Sequence, residues 1–420
     1  MAAEMLGALR RHVMEAWFPR SLDRQAGGFF CDFDRRWKRR GPQLRMLEFQ
    51  ARQTRMAARL ALAFPRDPQW AEAAVHGFRY LRDAMWDRKH GGWFWMLGRD
   101  REALADETKH SHGIAYAFQA CAVVYRATGE PGALELAREA FDWLDGHAHD
   151  DVYGGYRTWL QRDGSVITPA VAETHDPLGH EVGLKDVNTH GDWIEGLSEY
   201  LAIQHDAHMQ ARLQEIVGLF LSHFVTEEGA LHYGCDAAWR PQPGLQRFGY
   251  ALQAAHRLLQ AAPFLAEPGP AEERAERVFL HTIRRAWAGD QGGFWYAGPA
   301  GLPDELEGVS LVVRRRLWWL QFEGLRSLVL YGLRNGEHRA PYAALARLQW
   351  DLVRDRMFDH VFGGTYATCP DDLPFRARPF GRWGGGIALN KGNTWKDASH
   401  EADSLVTCIR MLRDQPTGAL

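Results

Sequence analysis

Apolar residues recur at helical spacing along most of this chain. They return at intervals of three and four residues, which is the pattern of helices that bury one face. The stretches with the plainest pattern are residues 57–64, 71–85, 115–125, 133–144, 194–203 and 213–224. We therefore predict a mostly helical protein.

A short turn signature interrupts this helical pattern at six places. Each copy is a glycine pair, or Gly-Ala in one case, followed by aromatic or strand-prone residues, and the copies begin at Gly27, Gly91, Gly154, Gly229, Gly292 and Gly363. Successive copies lie roughly 63 to 75 residues apart, which leaves room for two helices and their connections. Glycine pairs permit backbone conformations closed to other residues, so each copy suits a short hairpin that caps one end of a helix pair.

Six units of this size predict a closed ring of six inner and six outer helices. The expected fold class is all-α, an (α/α)6 barrel of helical hairpins with short β-hairpin turns, and an open helical solenoid is the alternative. No long Pro/Ser/Gly tract or charge block divides the chain, so we expect residues 1–420 to form a single domain.

Polar clusters recur at one phase of the repeat, near the start of a predicted helix in each unit. They lie at residues 50–53, 109–112, 188–193, 247–250, 318–323 and 395–400. Residues at one phase of a closed repeat share one level of the ring. We therefore expect these clusters to converge on one central pocket that forms the active site.

Charge and hydropathy exclude several classes of partner. The formal net charge is −3, which gives no broad attraction for nucleic acid or anionic lipid. The first residues lack the unbroken apolar core of a signal peptide, and no segment approaches the roughly 20 apolar residues that span a bilayer. We expect a cytoplasmic monomer or homodimer that binds a small molecule.

Cysteine and tryptophan usage add two weaker indications. The five cysteines are far apart and never form a zinc-binding spacing, so we expect buried, reduced side chains and no metal. The 17 tryptophans favour a sugar ligand, because flat indole faces pack against the C–H faces of sugars.

At the polar clusters the sequence resembles the N-acylglucosamine 2-epimerase family, over nearly the whole chain. The motifs that carry the resemblance are Gln-x-Arg-Gln around Arg52, Lys-x-x-x-Gly from Lys109, Asn-x-His…Glu from Asn188, Trp-Trp-x-Gln-x-Glu from Trp318, and Trp-Lys…His ending at His400. The family includes cellobiose 2-epimerases, mannose isomerases and sulfoquinovose isomerases. It implies the same barrel and a sugar substrate.

The resemblance also implies a chemistry. Family members interconvert aldoses with ketoses or with C2 epimers, by removing the proton alpha to a carbonyl and reprotonating a cis-enediol(ate), and no metal or organic cofactor is implied. Histidine suits this reaction because it accepts and returns a proton near neutral pH. A fixed cation such as Arg52 stabilises the enediolate oxygen as charge develops.

Two departures from the family pattern bear on the reaction. The family normally places a catalytic histidine in Gly-His-x-x-Glu, where this chain has Tyr250 followed by Gln253, and Asp192 stands where the family commonly has a second histidine. His400 is retained, and His112 replaces the usual tyrosine. A tyrosine, with an ordinary pKa of about 10, is a poor base at neutral pH. The departures weaken a two-base epimerase more than a one-base isomerase.

We accordingly expect His400, Arg52, His112 and Tyr250 to be catalytic. The expected substrate-binding residues are His190, Asn188, Asp192, Glu195, Gln253, Trp318, Glu323, Trp383 and Trp395. Ordinary structural roles stay open for them. His400 would then be a structural hydrogen-bonding histidine, and Arg52 would form an ion pair with a carboxylate such as Glu195 or Glu323.

Two other functions stay open at this point. An (α/α)6 glycoside hydrolase would use Asp192 as its acid, with Glu195 or Glu323 as the second carboxylate. Alternatively, the barrel performs proton transfer, dehydration or cyclisation on a non-sugar metabolite, or binds a ligand without chemistry. The missing histidine at Tyr250 motivates this last reading.

Overall fold

A computed structural model describes residues 1–99, 104–170, 175–301, 305–306, 309–334, 339–374 and 389–414. The helices are numbered along the chain. The outer ones are α1 (Ala2–Ala8) and α2 (Glu15–Trp17), joined by a π-helical stretch, then α4 (Pro68–Tyr80), α6 (Pro131–Ala148), α8 (Ala207–Leu219), α10 (Gly269–Ala286) and α12 (Arg339–Leu352). The inner ones are α3 (Leu47–Ala63), α5 (Ser111–Thr128), α7 (Val187–Leu201), α9 (Phe248–Ala261), α11 (Trp318–Arg334) and α13 (Ser399–Arg413).

The inner helices form a closed ring. Each packs against the next one along the chain, and α13 packs against α3. Closure excludes the open solenoid, and the predicted (α/α)6 barrel is confirmed.

Burial differs between the two rings, as their sequences require. Every residue of α7 is buried, because an inner helix has an outer helix on one side and the ring interior on the other. The outer α10 buries one stripe, with Ala271, Ala275, Val278 and Thr282 facing inward at helical spacing. The helical pattern in the sequence therefore belongs to two kinds of helix: inner helices that are buried all round, and outer helices that bury one face.

Short hairpins occupy one end of the barrel. Single antiparallel bridges flank the glycine signature in all six units: Leu22 with Phe29, Trp86 with Trp93, His149 with Tyr156, Val225 with Leu231, Trp287 with Phe294, and Phe358 with Thr365. Both glycines of the first copy have positive φ, and a Cβ on Gly28 would lie 2.5 Å from Oε1 of Gln50. The predicted hairpin turns are confirmed, and glycine is required there.

Short antiparallel strands link each unit to the next. The strand in front of an inner helix pairs with a strand that follows the turn of the next unit: β1 (Arg45–Met46) with β2 (Met96–Leu97), β4 (Lys109–His110) with β5 (Trp159–Leu160), β6 (Lys185–Asp186) with β7 (Gly234–Cys235), and β8 (Leu245–Arg247) with β9 (Ala297–Pro299). Single bridges from Leu317 to Thr368 and from Phe33 to Gly392 complete the circle. Strand β3 (Leu104–Asp106) pairs with β2 as the third strand of its sheet. Strands β10 (Glu305–Leu306) and β11 (Val309–Ser310) form a separate two-stranded sheet.

Buried ion pairs hold four of the turns against the inner helix of the same unit. An aspartate before the glycines binds a cation that precedes the helix: Asp23 with Arg45 at 2.6 Å, Asp87 with Lys109 at 3.3 Å, Asp150 with Lys185 at 2.7 Å, and Asp359 with Lys391 at 2.7 Å. All four cations are fully buried. The hairpin end is therefore a rigid frame, and the polar clusters begin directly after it.

Two further expectations concern burial and membranes. All five cysteines are buried and free, as expected. Within the described ranges, no helix combines the length and apolar character needed to cross a bilayer.

Candidate active site

The six inner helices begin around a cavity of about 300 Å³. Residues from the first turns of all six helices line it, together with side chains from the connecting segments. The lining residues are Glu48, Arg52, His112, Leu178, His180, Asn188, Arg247, Tyr250, Gln253, Tyr296, Trp318, Trp319, Trp395 and His400. The polar clusters therefore converge on one cavity, as predicted.

The direction of the inner helices makes this end of the barrel favourable for negative charge. Each of the six contributes a lining residue from its first turn or two, so six helix N-termini surround the cavity. A helix N-terminus carries a partial positive charge and unsatisfied N–H groups. An oxyanion that develops in the cavity is stabilised by this arrangement.

His400 lies in the first turn of α13 with one ring nitrogen held. Its Nδ1 is 2.8 Å from Oε1 of Glu323, and Nε2 has no hydrogen-bond partner in the described part of the chain. Burial alone would raise the pKa of Glu323, but Arg326 and the hydrogen bond from His400 hold it at about 2. A carboxylate on Nδ1 fixes that nitrogen as the proton donor, which leaves the Nε2 lone pair as a base.

His112 is held quite differently, between two carboxylates. Its Nε2 lies 3.1 Å from Glu48 and its Nδ1 lies 2.6 Å from Asp192. Burial lowers the pKa of His112, but the two carboxylates outweigh it and raise the pKa to about 10. At neutral pH His112 is an imidazolium with both N–H groups engaged. It has no lone pair to act as a base.

Arg52 is aimed at the cavity by two contacts. Its Nη2 lies 2.9 Å from Glu48 and donates a hydrogen bond of 2.9 Å to the Tyr116 hydroxyl, and its guanidinium lies over the Tyr116 ring at 4.4 Å. Its carboxylate partner is thus Glu48, one helical turn away, and not Glu195 or Glu323. Arg52 is a fixed cation beside the cavity.

Tyr250 and Gln253 occupy the wall formed by α9. The Tyr250 hydroxyl accepts a hydrogen bond of 3.4 Å from Arg247, and burial raises the pKa of Tyr250 to about 12. Gln253 donates a hydrogen bond of 3.4 Å to Glu323. Tyr250 therefore stays protonated and can donate a hydrogen bond, while Gln253 joins the group around His400.

A family model described as N-acylglucosamine 2-epimerase matches residues 27–374. The chain belongs to this family. The family resemblance and the prediction of an isomerase enzyme of carbohydrate metabolism are confirmed.

Three of the members and structures similar to the chain cover most of its length. It is 26% identical to the cellobiose 2-epimerase of Bacteroides fragilis over 63% of this chain and 67% of the relative. It is 26% identical to the human N-acylglucosamine 2-epimerase over 97% of this chain and 90% of the relative. The structure of cellobiose 2-epimerase from Spirochaeta thermophila superimposes with a TM-score of 0.83 at 23% identity, covering 98% of this chain and 96% of that one. This last likeness concerns the fold.

Three carboxylates that the N-acylglucosamine 2-epimerase resemblance led us to expect as substrate ligands lie behind the cavity wall. Asp192 pairs with His112 and with Arg257, Glu195 pairs with Arg257 at 3.0 Å, and Glu323 binds His400. None of the three is among the described lining residues. They were expected to bind substrate, and the structure places them one layer away. Asp192 and Glu323 contact the lining residues His112 and His400, while Glu195 pairs with Arg55 and Arg257, which are not among the described lining residues.

His190 is not brought to the cavity. Its Nδ1 lies 2.9 Å from the carbonyl oxygen of Asp186, and its Nε2 accepts a hydrogen bond of 3.2 Å from the backbone N–H of Tyr156. Gln50 and Gln321 bind the residue after the glycine turn in the same way in their own units, at 2.7 and 2.9 Å. His190 is therefore the structural member of its motif.

The other expected ligands have different outcomes. Asn188, Gln253, Trp318 and Trp395 line the cavity. Trp383 lies outside the described residues.

Sequence reasoning missed several lining residues. Glu48 lies four residues before Arg52 on α3, and this helical spacing of opposite charges was the signal that could have found it. Arg247 was inside a cluster but was not selected. His180, whose Nε2 is 2.5 Å from the Tyr233 hydroxyl, and Tyr296 come from irregular connections where no periodicity marks them.

Proposed function

We propose that this chain is a cofactor-independent aldose–ketose isomerase in which His400 is the single proton-transfer base. The observation that carries the proposal is the pairing of His400 through Nδ1 with Glu323, which leaves Nε2 for the substrate. The family relationship supports a sugar substrate. The cavity of about 300 Å³ is at the lower end of the range for ligand pockets, which favours a monosaccharide.

The proposed reaction assigns one task to each side chain. In the ring-opened aldose, His400 takes the proton from C2, and Glu323 stabilises the imidazolium that forms. Arg52 and the surrounding helix N-termini stabilise the negative charge on the enediolate oxygen. The hydroxyl proton on O2 then passes to the neighbouring O1, and His400 returns its proton to C1 on the same face, which yields the ketose.

A 2-epimerase needs a second proton donor and acceptor on the opposite face of the enediolate. The residue at the place of the missing histidine is Tyr250, whose pKa of about 12 keeps it protonated at neutral pH. His112 has both nitrogens bound to carboxylates. These two arrangements favour isomerisation over epimerisation.

Hydrolysis by Asp192 has little support. The side chain is fully buried, its oxygens are bound by His112 and Arg257, and it does not line the cavity in the described residues. A glycoside hydrolase acid must reach the glycosidic oxygen.

Proton NMR in D2O tests the proposed reaction. Common aldoses, aldose 6-phosphates and hexuronates are incubated with the wild-type enzyme, and the expected first product is a ketose that carries deuterium at C1. A C2 epimer that forms first, without a ketose, would contradict the proposal, and so would the absence of C2 exchange in every aldose tested. The matched control is His208→Ala, because His208 is half exposed on the outer helix α8, where it pairs with Asp145.

A further inference from the structure

The guanidinium of Arg247 lies on the cavity wall without a carboxylate partner in the described ranges. Its contacts there are a hydrogen bond to the Tyr250 hydroxyl at 3.4 Å and three tyrosine rings. The rings of Tyr233, Tyr250 and Tyr296 lie 4.5, 5.7 and 5.8 Å from its central carbon. Aromatic faces stabilise a cation but do not neutralise it.

The other cations among the described lining residues already have carboxylate partners. Arg52 has Glu48, and His112 has both Glu48 and Asp192. Among the described lining residues, Glu48 is the carboxylate, against the positive charges of Arg52, His112 and Arg247. The cavity therefore has a surplus of positive charge, and Arg247 is the member with no ion pair.

The position of Arg247 separates it from the proton-transfer centre. Tyr250 stands next to Arg247, the Trp319 ring lies 5.4 Å from the Tyr250 ring, and the His400 ring lies 5.9 Å from that of Trp319. The guanidinium and the base are thus linked through two successive aromatic rings, and the described contacts of Arg247 do not include His400. A group that binds Arg247 belongs to the end of the sugar remote from C1 and C2.

We infer that Arg247 is a subsite for an oxyanion at the far end of the sugar, so that the substrate is an acidic monosaccharide. The planar guanidinium matches the geometry of a carboxylate or a phosphate, and both are candidate forms of this oxyanion. The helix N-terminus of α9, which begins at Phe248, adds a second favourable contribution at the same place. This inference rests on the proposed function for the identity of the ligand as a sugar.

Binding of sugars that cannot react separates the inference from the reaction. Calorimetry with the full chain uses a hexitol 6-phosphate and a hexuronate whose C1 aldehyde has been reduced to the alcohol, against the neutral hexitol; neither anion has an aldehyde or ketone. We expect the anionic ligand to bind about 10- to 100-fold more tightly than the neutral one. Equal binding of neutral and anionic ligands would overturn the inference. Tight binding of the anion, together with no C2 exchange in D2O for the corresponding aldose 6-phosphate or hexuronate, would sink only the isomerase proposal.

The variants Arg247→Gln and Arg247→Lys identify the residue. The preference for the anion should be lost in Arg247→Gln and partly kept in Arg247→Lys, which retains the charge but not the planar fork. An unchanged preference in Arg247→Gln would refute the assignment. The control is Arg138→Gln, since Arg138 is half exposed on α6 and pairs with Asp206. If Arg247→Gln fails to fold, Arg247→Lys decides: an undiminished preference refutes a bidentate contact, and a reduced one supports it.

The two sources of oxyanion are distinguished in the same assay. A 6-phosphate that binds more tightly than the carboxylate identifies a sugar phosphate as the ligand, and the reverse order identifies a sugar acid. Either order supports the inference.

Discussion

Three described histidines line the cavity, and two of them, His112 and His400, differ in how many carboxylates they touch. His112 is held between Glu48 and Asp192, while His400 has Glu323 on one nitrogen. Two carboxylates raise the pKa of His112 to about 10 and occupy both N–H groups, so the ring is a permanent cation. One carboxylate orients His400 and leaves the second nitrogen available. The comparison teaches that a histidine at an active site becomes a base only where one of its nitrogens is left unbound.

The largest expected effect is on His400. His400→Ala should lower kcat by about 10³-fold, because general base catalysis contributes roughly 10²- to 10⁴-fold and His112, with a carboxylate against each nitrogen, has no lone pair to replace it. Steady-state kinetics on the aldose found by the NMR screen measures this loss. A decrease of less than tenfold would remove His400 from the mechanism, provided that His208→Ala behaves as the wild type.

The next effect concerns the carboxylate behind His400. Glu323→Gln keeps a hydrogen-bonding side chain but removes the charge that stabilises the imidazolium, so kcat should fall by about 10- to 100-fold. KM should change little, because Glu323 does not line the cavity. A rise in KM at constant kcat would show instead that Glu323 contacts substrate.

The smallest catalytic effect is expected at His112. His112→Gln should lower kcat by about tenfold, because it weakens the positioning of Glu48 and Arg52 without removing the base. The free energy of unfolding of His112→Gln should be about 2 kcal/mol lower than that of the wild type, since two buried carboxylates lose their cation. Denaturant unfolding of the wild type and of His112→Gln measures this loss of stability.

The difference in free energy of unfolding between the wild type and His112→Gln should depend on pH in a definite direction. The folded pKa of His112 is raised from the ordinary 6.5 to about 10, so its contribution to the free energy of unfolding is complete below about pH 6.5 and is lost as the pH rises to 10. The stability gap between wild type and His112→Gln should therefore narrow from pH 6.5 to pH 10. A gap that widens over this interval would contradict a charged His112.

The repeat and the cavity were predictable because both follow from periodicity. Six glycine turns mark six units, and the polar clusters at one phase converge as expected. Roles within a cluster were less predictable. His190 and Gln50 bind the same backbone position of their units, and only the three-dimensional structure distinguishes that structural site from a ligand.

The other differences between the expected and the observed lining residues have a different physical cause. Asp192 and Glu323 share their clusters with true lining residues, but a helix turns its side chains by about 100° per residue, so neighbours in sequence lie at different depths. His180 and Tyr296 reach the cavity from irregular segments, and their positions depend on contacts that no local pattern encodes.

Exchange of the C2 proton in D2O, measured side by side for His400→Ala and His112→Gln, shows which histidine removes the proton. We expect exchange to be lost in His400→Ala and to persist in His112→Gln at a rate within about tenfold of the wild type. Persistent exchange in His400→Ala, or loss of exchange in His112→Gln while it remains folded, would contradict the assignment of His400 as the base.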